Sequence, residues 1–368
     1  MTPLCRQVVE NSIDFVCHPT REKVQQLRDS HGFTIGRVVD WYGVLDTDAE
    51  KYTRNKTPWH FGLEIRHVQP DVSKNGGLLS FYLAYSSWTG RILYLDQVRC
   101  HGLEDNVEKL LLQILADIAV ELDCARLTWR HTQTPQWHNE GSNQPEYHSE
   151  VLTLSMNQDA MIKFVSDSPL SDVGPIGGMF SRELVTGAFS QCLDLINAQE
   201  ESGFRLRLAQ VEDLETIELM VKGLAEYVNE PDAIEIGSSH YRKDGFDLED
   251  PLWYCLLIDR VDEKGSMETC GYAFVFVGYL LGGGRFVYLE DLFLKVEHRG
   301  GGGGKTTMKT LAALCLSLEC NSLYWQALDW NASGLKFYEG IGATIHEGEK
   351  TSRYAGEALK RFAQHGTM

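Results

Sequence analysis

Five consecutive glycines, Gly300 to Gly304, are the part of this sequence best suited to do chemistry. They follow an apolar run rich in β-formers, Phe286 to Val296. They precede a stretch in which Met308, Leu311, Ala312, Cys315 and Leu316 fall on one helical face. Strand, glycine loop and helix in that order aim unpaired backbone N–H groups and the positive end of a helix at one point, where a phosphate can dock. Arg299 and Lys305, on either side of Gly300, Gly301, Gly302, Gly303 and Gly304, add charge. The stretch predicts a phosphorylated cofactor. Gly304-Lys305-Thr306 imitates the end of a nucleotide-triphosphate loop, but that motif needs a glycine where Arg299 stands. The bland alternative is a flexible glycine run that holds nothing.

The elements that would hold this loop form a series. Residues 204–209 alternate as a strand, Gln210-Val-Glu-Asp213 supplies a helix start, and 214–227 repeat apolar residues at helical spacing. Strands are expected at 253–258 and 270–279, then the glycine stretch, a strand at 323–327, a short helix in 331–338 and a last strand near 351–354. Upstream lies a fainter copy. Trp59 and Trp253 each follow a proline-containing turn, and Gly90-Arg-Ile-Leu-Tyr-Leu-Asp96 matches Gly284-Arg-Phe-Val-Tyr-Leu-Glu290 at an offset of 194. Leu115 to Trp129 matches Leu311 to Trp325 at an offset of 196. The missing two residues fall at the glycine loop, where the first copy has Cys100-His-Gly-Leu-Glu-Asp105, whose carboxylates would repel an anion. Between the copies, 166–178 is dense in Ser, Asp, Pro and Gly, and 183–198 regains helical periodicity.

Composition sets the outer bounds. The chain has 368 residues, enough for two domains, and is 43% hydrophobic and 23% charged, as folded proteins are. A net charge of -18 argues against nucleic acid or an anionic membrane as partner. No signal peptide or membrane span is evident, and the nine cysteines lack metal-like spacing, so a reduced, cytoplasmic protein is expected. His131, His138 and His148 match no compact metal motif, and no metal is expected.

Read as Arg-x-x-Gly-x-Gly (Arg299, Gly302, Gly304), the loop resembles the pyrophosphate signature of the GNAT N-acetyltransferases, and the β-α-β-β-β-α-β-α-β order is the order of that superfamily. More narrowly, Leu224-Ala-Glu-Tyr227, Asp244-Gly-Phe246, Tyr288-Leu-Glu-Asp-Leu-Phe293, Trp330-Asn331 and Phe337-Tyr-Glu-Gly-Ile-Gly-Ala343 are similar to landmarks of the diamine (spermidine/spermine) acetyltransferases. The similarity covers 204–363, with a weaker version over 55–130. It implies an α/β (α+β) fold of two tandem GNAT-like domains, each a mixed, mostly antiparallel sheet flanked by helices. Residues 1–165 are then a degenerate, non-catalytic copy, 166–202 a linker and helix, and 203–368 the catalytic domain.

The resemblance also implies roles. Acetyl-CoA would donate its acetyl group to a primary amine by direct attack, with the glycine loop, Arg299 and Lys305 on the pyrophosphate. Leu292, Phe293 and Leu294 would line the pantetheine arm, and Asn331 would hydrogen-bond the cofactor or simply cap the next helix. Tyr338 would protonate the departing thiolate, and Glu290 would act as general base. Asp291, Glu226, Tyr227, Glu230 and Asp232 would meet a cationic small amine, although Val228 and Pro231 stand where the family pattern calls for carboxylates. A pseudo-dimer within one chain is expected, with a homo-oligomer open. Protein lysine or N-terminal acetylation, and a non-catalytic CoA-binding scaffold or sensor, are the alternatives.

Overall fold

The computed structural model describes residues 33–37, 60–67, 77–100, 105–131, 144–148, 150–178, 180–198, 203–262 and 264–364. Trp59, His138 and most of the first copy's Cys100–Asp105 loop lie outside the described residues.

The strands are β1 (Phe33–Arg37), β2 (His60–His67), β3 (Gly77–Ser86), β4 (Gly90–Cys100), β5 (Arg126–His131), β6 (Glu146–His148) and β7 (Val151–Asn157). The second half adds β8 (Phe204–Leu208), β9 (Tyr254–Val261), β10 (Met267–Leu280), β11 (Gly284–Leu294), β12 (Ser322–Leu328), β13 (Thr344–His346) and β14 (Lys350–Ala355). The main helices are α1 (Asp105–Glu121), α2 (Gln158–Val165), α3 (Arg182–Asn197), α4 (Leu214–Tyr227), α5 (Gly303–Ser317), α6 (Ala332–Gly340) and α7 (Gly356–Gln364).

Two seven-stranded sheets result, ordered β1-β2-β3-β4-β5-β14-β6 and β8-β9-β10-β11-β12-β7-β13. One is the other repeated. Each has a single parallel pair among the described residues, β4 with β5 and β11 with β12, and is otherwise antiparallel. The sheets nevertheless do not follow the chain boundaries at 165 and 203. β7, from the first half, pairs with β12 of the second sheet, and β14, from the second half, pairs with β5 of the first. The stretch 166–202 is also more than a tether, because Val185, Ala188, Phe189 and Cys192 of α3 are buried in the core behind the second sheet.

The repeat extends to single side chains. Arg91 of β4 donates to the carbonyl of Leu122, and Arg285 of β11 donates to that of Leu318. The turns these arginines brace carry Asp123 and Glu319 at φ 57° and 54°, a left-handed conformation uncommon for residues with a Cβ.

The halves are joined by buried surface. Tyr85 stacks on Phe274, whose ring also lies 4.6 Å from that of Trp253. Arg91 and Asp244 make a buried ion pair, 2.5 Å, across the junction. A smaller aromatic cluster of Tyr82, Phe276 and Phe286 sits between the sheets.

Candidate active site

The site begins at an irregularity in β11. Against β10, Asp291 lies opposite Phe274 and Leu289 opposite Val275, so Glu290 is the extra residue of a β-bulge. Neighbours on a regular strand face opposite ways. The bulge resets the alternation, and here Glu290 and Asp291 both face the first half. Asp291 accepts hydrogen bonds from the Ser87 hydroxyl and from Tyr272 Oη at 2.8 Å. Glu290 reaches a cavity of about 210 Å³ lined by residues of both sheets.

Two carboxylates out of water disfavour their own ionisation. Burial, reinforced by the neighbouring Asp291, pushes Glu290 up to about 7, against the pull of the Arg126 guanidinium and the Ser86 hydroxyl. Burial likewise raises Asp291, opposed by its bonds from Ser87 and Tyr272. A carboxyl held near neutrality can accept a proton and release it again, which is what a general base needs.

Beside this pair the sheet opens. β11 and β12 are in register only from Phe286–Ser322 to Leu289–Trp325. From Asp291 to Leu294, β11 pairs with β10 alone among the described residues, while β12 continues along β7. The β12-facing backbone edge around Leu292, Phe293 and Leu294 therefore borders a gap. Tyr338 of α6 stands at the other side of that gap, its ring 5.2 Å from Trp325, the last β12 residue in register with β11. Burial pushes its phenol up to about 12, so it keeps its proton at neutral pH. Asn331 caps α6, accepting from Gly334 N at 3.0 Å through Oδ1.

The glycine loop lies at the end of the same strand. Gly302 is the N-cap of α5 at φ 94°, and no side chain caps the helix. The N–H groups of Gly303, Gly304 and Lys305 thus open the helix without a side-chain acceptor. A Cβ on Gly303 would meet Leu294 and Phe204 at 3.0 Å, so glycine lets the helix start close against the sheet. Gly300, at φ 79°, and Gly301 complete the turn. Lys305 is exposed in the first helical turn. Arg299 is braced from behind: its Nε donates to the Leu294 carbonyl at 2.9 Å, and its guanidinium lies 4.1 Å from the centre of the Tyr227 ring. These residues fit a pyrophosphate, being a helix N-terminus with a cation beside it.

The structure thus brings Glu290, Asp291, Leu292, Phe293, Leu294, Arg299, the five glycines, Lys305, Asn331 and Tyr338 around one strand end. It leaves Glu226, Glu230 and Asp232 on the exposed surface at and beyond the end of α4, and none of the three lines the cavity beside Glu290. Tyr227 is held by Arg299, on the side of the glycine loop. The sequence reading did not single out the opposite wall. It consists of Arg126, Thr128 and Arg130 of β5 with Arg353 of β14. The alternation of polar residues along β5 was visible, but the strand belonged to the copy without a glycine loop. No grouping of His, Cys, Asp and Glu able to hold a metal occurs among the described residues, and no helix among them is long and apolar enough to cross a membrane.

Residues 225–343 match the acetyltransferase (GNAT) family. A thialysine N-epsilon-acetyltransferase of Bos taurus is 33% identical over 164 residues, covering 43% of this chain and 96% of its own length. The spermidine/spermine N(1)-acetyltransferase-like protein 1 of Homo sapiens is 29% identical over 44% of this chain and 24% of its own. A solved tandem GNAT protein from the clavulanic acid biosynthesis pathway overlays 92% of this chain and 95% of its own at 12% identity, with a TM-score of 0.40. The chain belongs to the GNAT family of acetyltransferases. It is an acetyl-CoA-dependent N-acetyltransferase.

Proposed function

We propose that this enzyme acetylates a primary amine of a small molecule by direct attack, using one active site in its second half. The observation that carries the reading is the bulged Glu290–Asp291 pair, with Asp291 buried and Glu290 half-buried beside a cavity lined by both sheets. A cavity of about 210 Å³ suits a small molecule better than a peptide, which needs an open groove. The names of the relatives, which concern thialysine and spermidine/spermine, support an amine of that size.

The glycine-loop N–H groups, Arg299 and Lys305 hold the cofactor's pyrophosphate, and the open edge of β11 from Leu292 to Leu294 takes its pantetheine arm. When bound, acetyl-CoA supplies the activated acetyl thioester and a thiolate leaving group. Glu290 accepts the proton that the amine must lose to become nucleophilic. Asp291, fixed by Ser87 and Tyr272, raises the basicity of Glu290 by its own charge. Tyr338, protonated at neutral pH, gives its proton to the leaving sulfur. Asn331 keeps its Nδ2 donor for the cofactor while its Oδ1 caps α6. β3, β4 and β5 of the first half enclose the amine side of the site, and a single cofactor is expected per chain.

Transfer of labelled acetyl from acetyl-CoA to a panel of amines and a lysine peptide tests the reading. Turnover of free amines, lost in Tyr338→Phe, is the expected result. Turnover of the peptide alone would replace it with protein acetylation. Tight CoA binding with no turnover would replace it with a cofactor sensor.

A further inference from the structure

The cavity has two unlike walls. Register places Ile92 beside Arg126 and Thr128 beside Arg353, so Arg126, Thr128 and Arg130 share one face of β5 and Arg353 flanks them from β14. All four line the cavity that Glu290 enters from the other sheet. At the positions of the second sheet that repeat Arg126, Thr128 and Arg130, the chain has Ser322, Tyr324 and Gln326. The guanidinium groups therefore sit on one wall and the catalytic carboxyl on the other.

Two of the three arginines are matched. Arg130 pairs with Glu349 at 3.3 Å and lies over the rings of Tyr94 and Tyr324, and Arg353 pairs with Glu146 at 2.8 Å. Arg126 makes no ion pair among the described residues, and its buried Nε has no hydrogen-bond partner among them. The Oγ1 of Thr128, a residue only 7% exposed, is equally without a partner among them. Buried donors left unmade are costly and uncommon in folded proteins. The Glu290 carboxylate attracts Arg126 across the cavity and Arg353 repels it, but neither makes a hydrogen bond to the Arg126 Nε, so the two donors on one strand face form a site short of a hydrogen-bond acceptor. A guanidinium and a hydroxyl together suit the paired oxygens of a carboxylate.

We propose that this wall is a substrate subsite for a carboxylate: Arg126 and Thr128 bind the acid group of an amine whose nitrogen lies at Glu290. The substrate is then an amino acid with a free side-chain amine rather than a polyamine, because a second cation would be driven against Arg126. The proposal rests on the acetyl-transfer reading for the position of the amine, but the anion subsite can be tested without turnover.

Lysine with cadaverine, and ornithine with putrescine, are pairs differing only in the carboxylate. The acid-bearing member of each pair should be ahead in kcat/KM by about 10- to 100-fold, the worth of a charge-assisted hydrogen bond. Arg126→Gln should collapse that ratio. Thr128→Val, which keeps the shape and removes only the hydroxyl, should reduce it by a smaller factor. Calorimetric titration of the CoA-loaded protein with lysine and with cadaverine should rank them the same way. Preference for the diamines, or a ratio unmoved by both substitutions, overturns the subsite. If no amine is acetylated yet lysine binds in a manner that depends on Arg126, the acetyl-transfer reading falls and the subsite stands. If lysine also fails to bind, both fall.

Discussion

The two sheets repeat one order of strands but differ in the use made of one bulge. In the first sheet the pairing of β3 with β4 slips between Ser80 and Phe81, leaving Asp96 as the extra residue where the second sheet has Glu290. Asp96 accepts from Leu281 N at 2.6 Å and from Ser80 Oγ at 3.1 Å, and its neighbour Gln97 donates to the Leu281 carbonyl at 2.7 Å. Its carboxylate clamps the hairpin of the other half. In the second sheet the opposing hairpin brings Ser86 and Ser87 instead, which engage Glu290 and Asp291 through their hydroxyls. One backbone device serves as a brace in one sheet and as a candidate base in the other. Duplication preserved the geometry, and a few side chains divided the work.

The sharpest way to break this comparison is to neutralise each bulge carboxylate. Glu290→Gln should lower kcat/KM by about 10²- to 10⁴-fold, the range for a lost general base, whereas Asp96→Asn should change it by less than about 10-fold. Comparable losses in both, measured by steady-state kinetics, would mean that Asp96 also takes part. The native rate should rise with pH through about 7, as Glu290 deprotonates, and that limb should vanish in Glu290→Gln.

The seam between the halves comes next. Asp244→Asn removes the partner of the buried Arg91 guanidinium and should cost about 3 to 5 kcal/mol in chemical denaturation, because it strands a charge. The loop follows. Gly302→Ala imposes a Cβ at φ 94° and should cost about 1 to 2 kcal/mol, read as weaker acetyl-CoA binding in calorimetry. The titration itself should find one acetyl-CoA per chain, and two would erase the distinction between the halves. Least of all, Tyr227→Leu removes the ring beside Arg299 and should weaken acetyl-CoA by roughly 0.5 to 1 kcal/mol, the value of an exposed cation–π contact. A selective loss of amine affinity instead would return Tyr227 to the substrate side.

By itself the sequence determined whatever depends on neighbours along the chain. The helix at Leu214–Tyr227, the glycine turn into α5, the strand through Glu290 and the repeat of Gly90–Asp96 in Gly284–Glu290 were all legible, because periodicity and backbone freedom are local. The passage proposed to hold the cofactor was legible for the same reason, since it is one continuous strand, loop and helix. Tertiary structure decided the rest. The exchange of β7 and β14 between sheets depends on pairings such as Trp325 with Leu154 and Trp129 with Ser352, which no local pattern records. The bulge that turns Glu290 and Asp291 to one side depends on the register of β10. Arg126 meets the same cavity as Glu290 only because the two sheets face each other. The acidic surface beyond α4, which sequence placed at the amine, stays outside that cavity for the same reason: proximity there is set by packing between sheets, and chain order carries no trace of it.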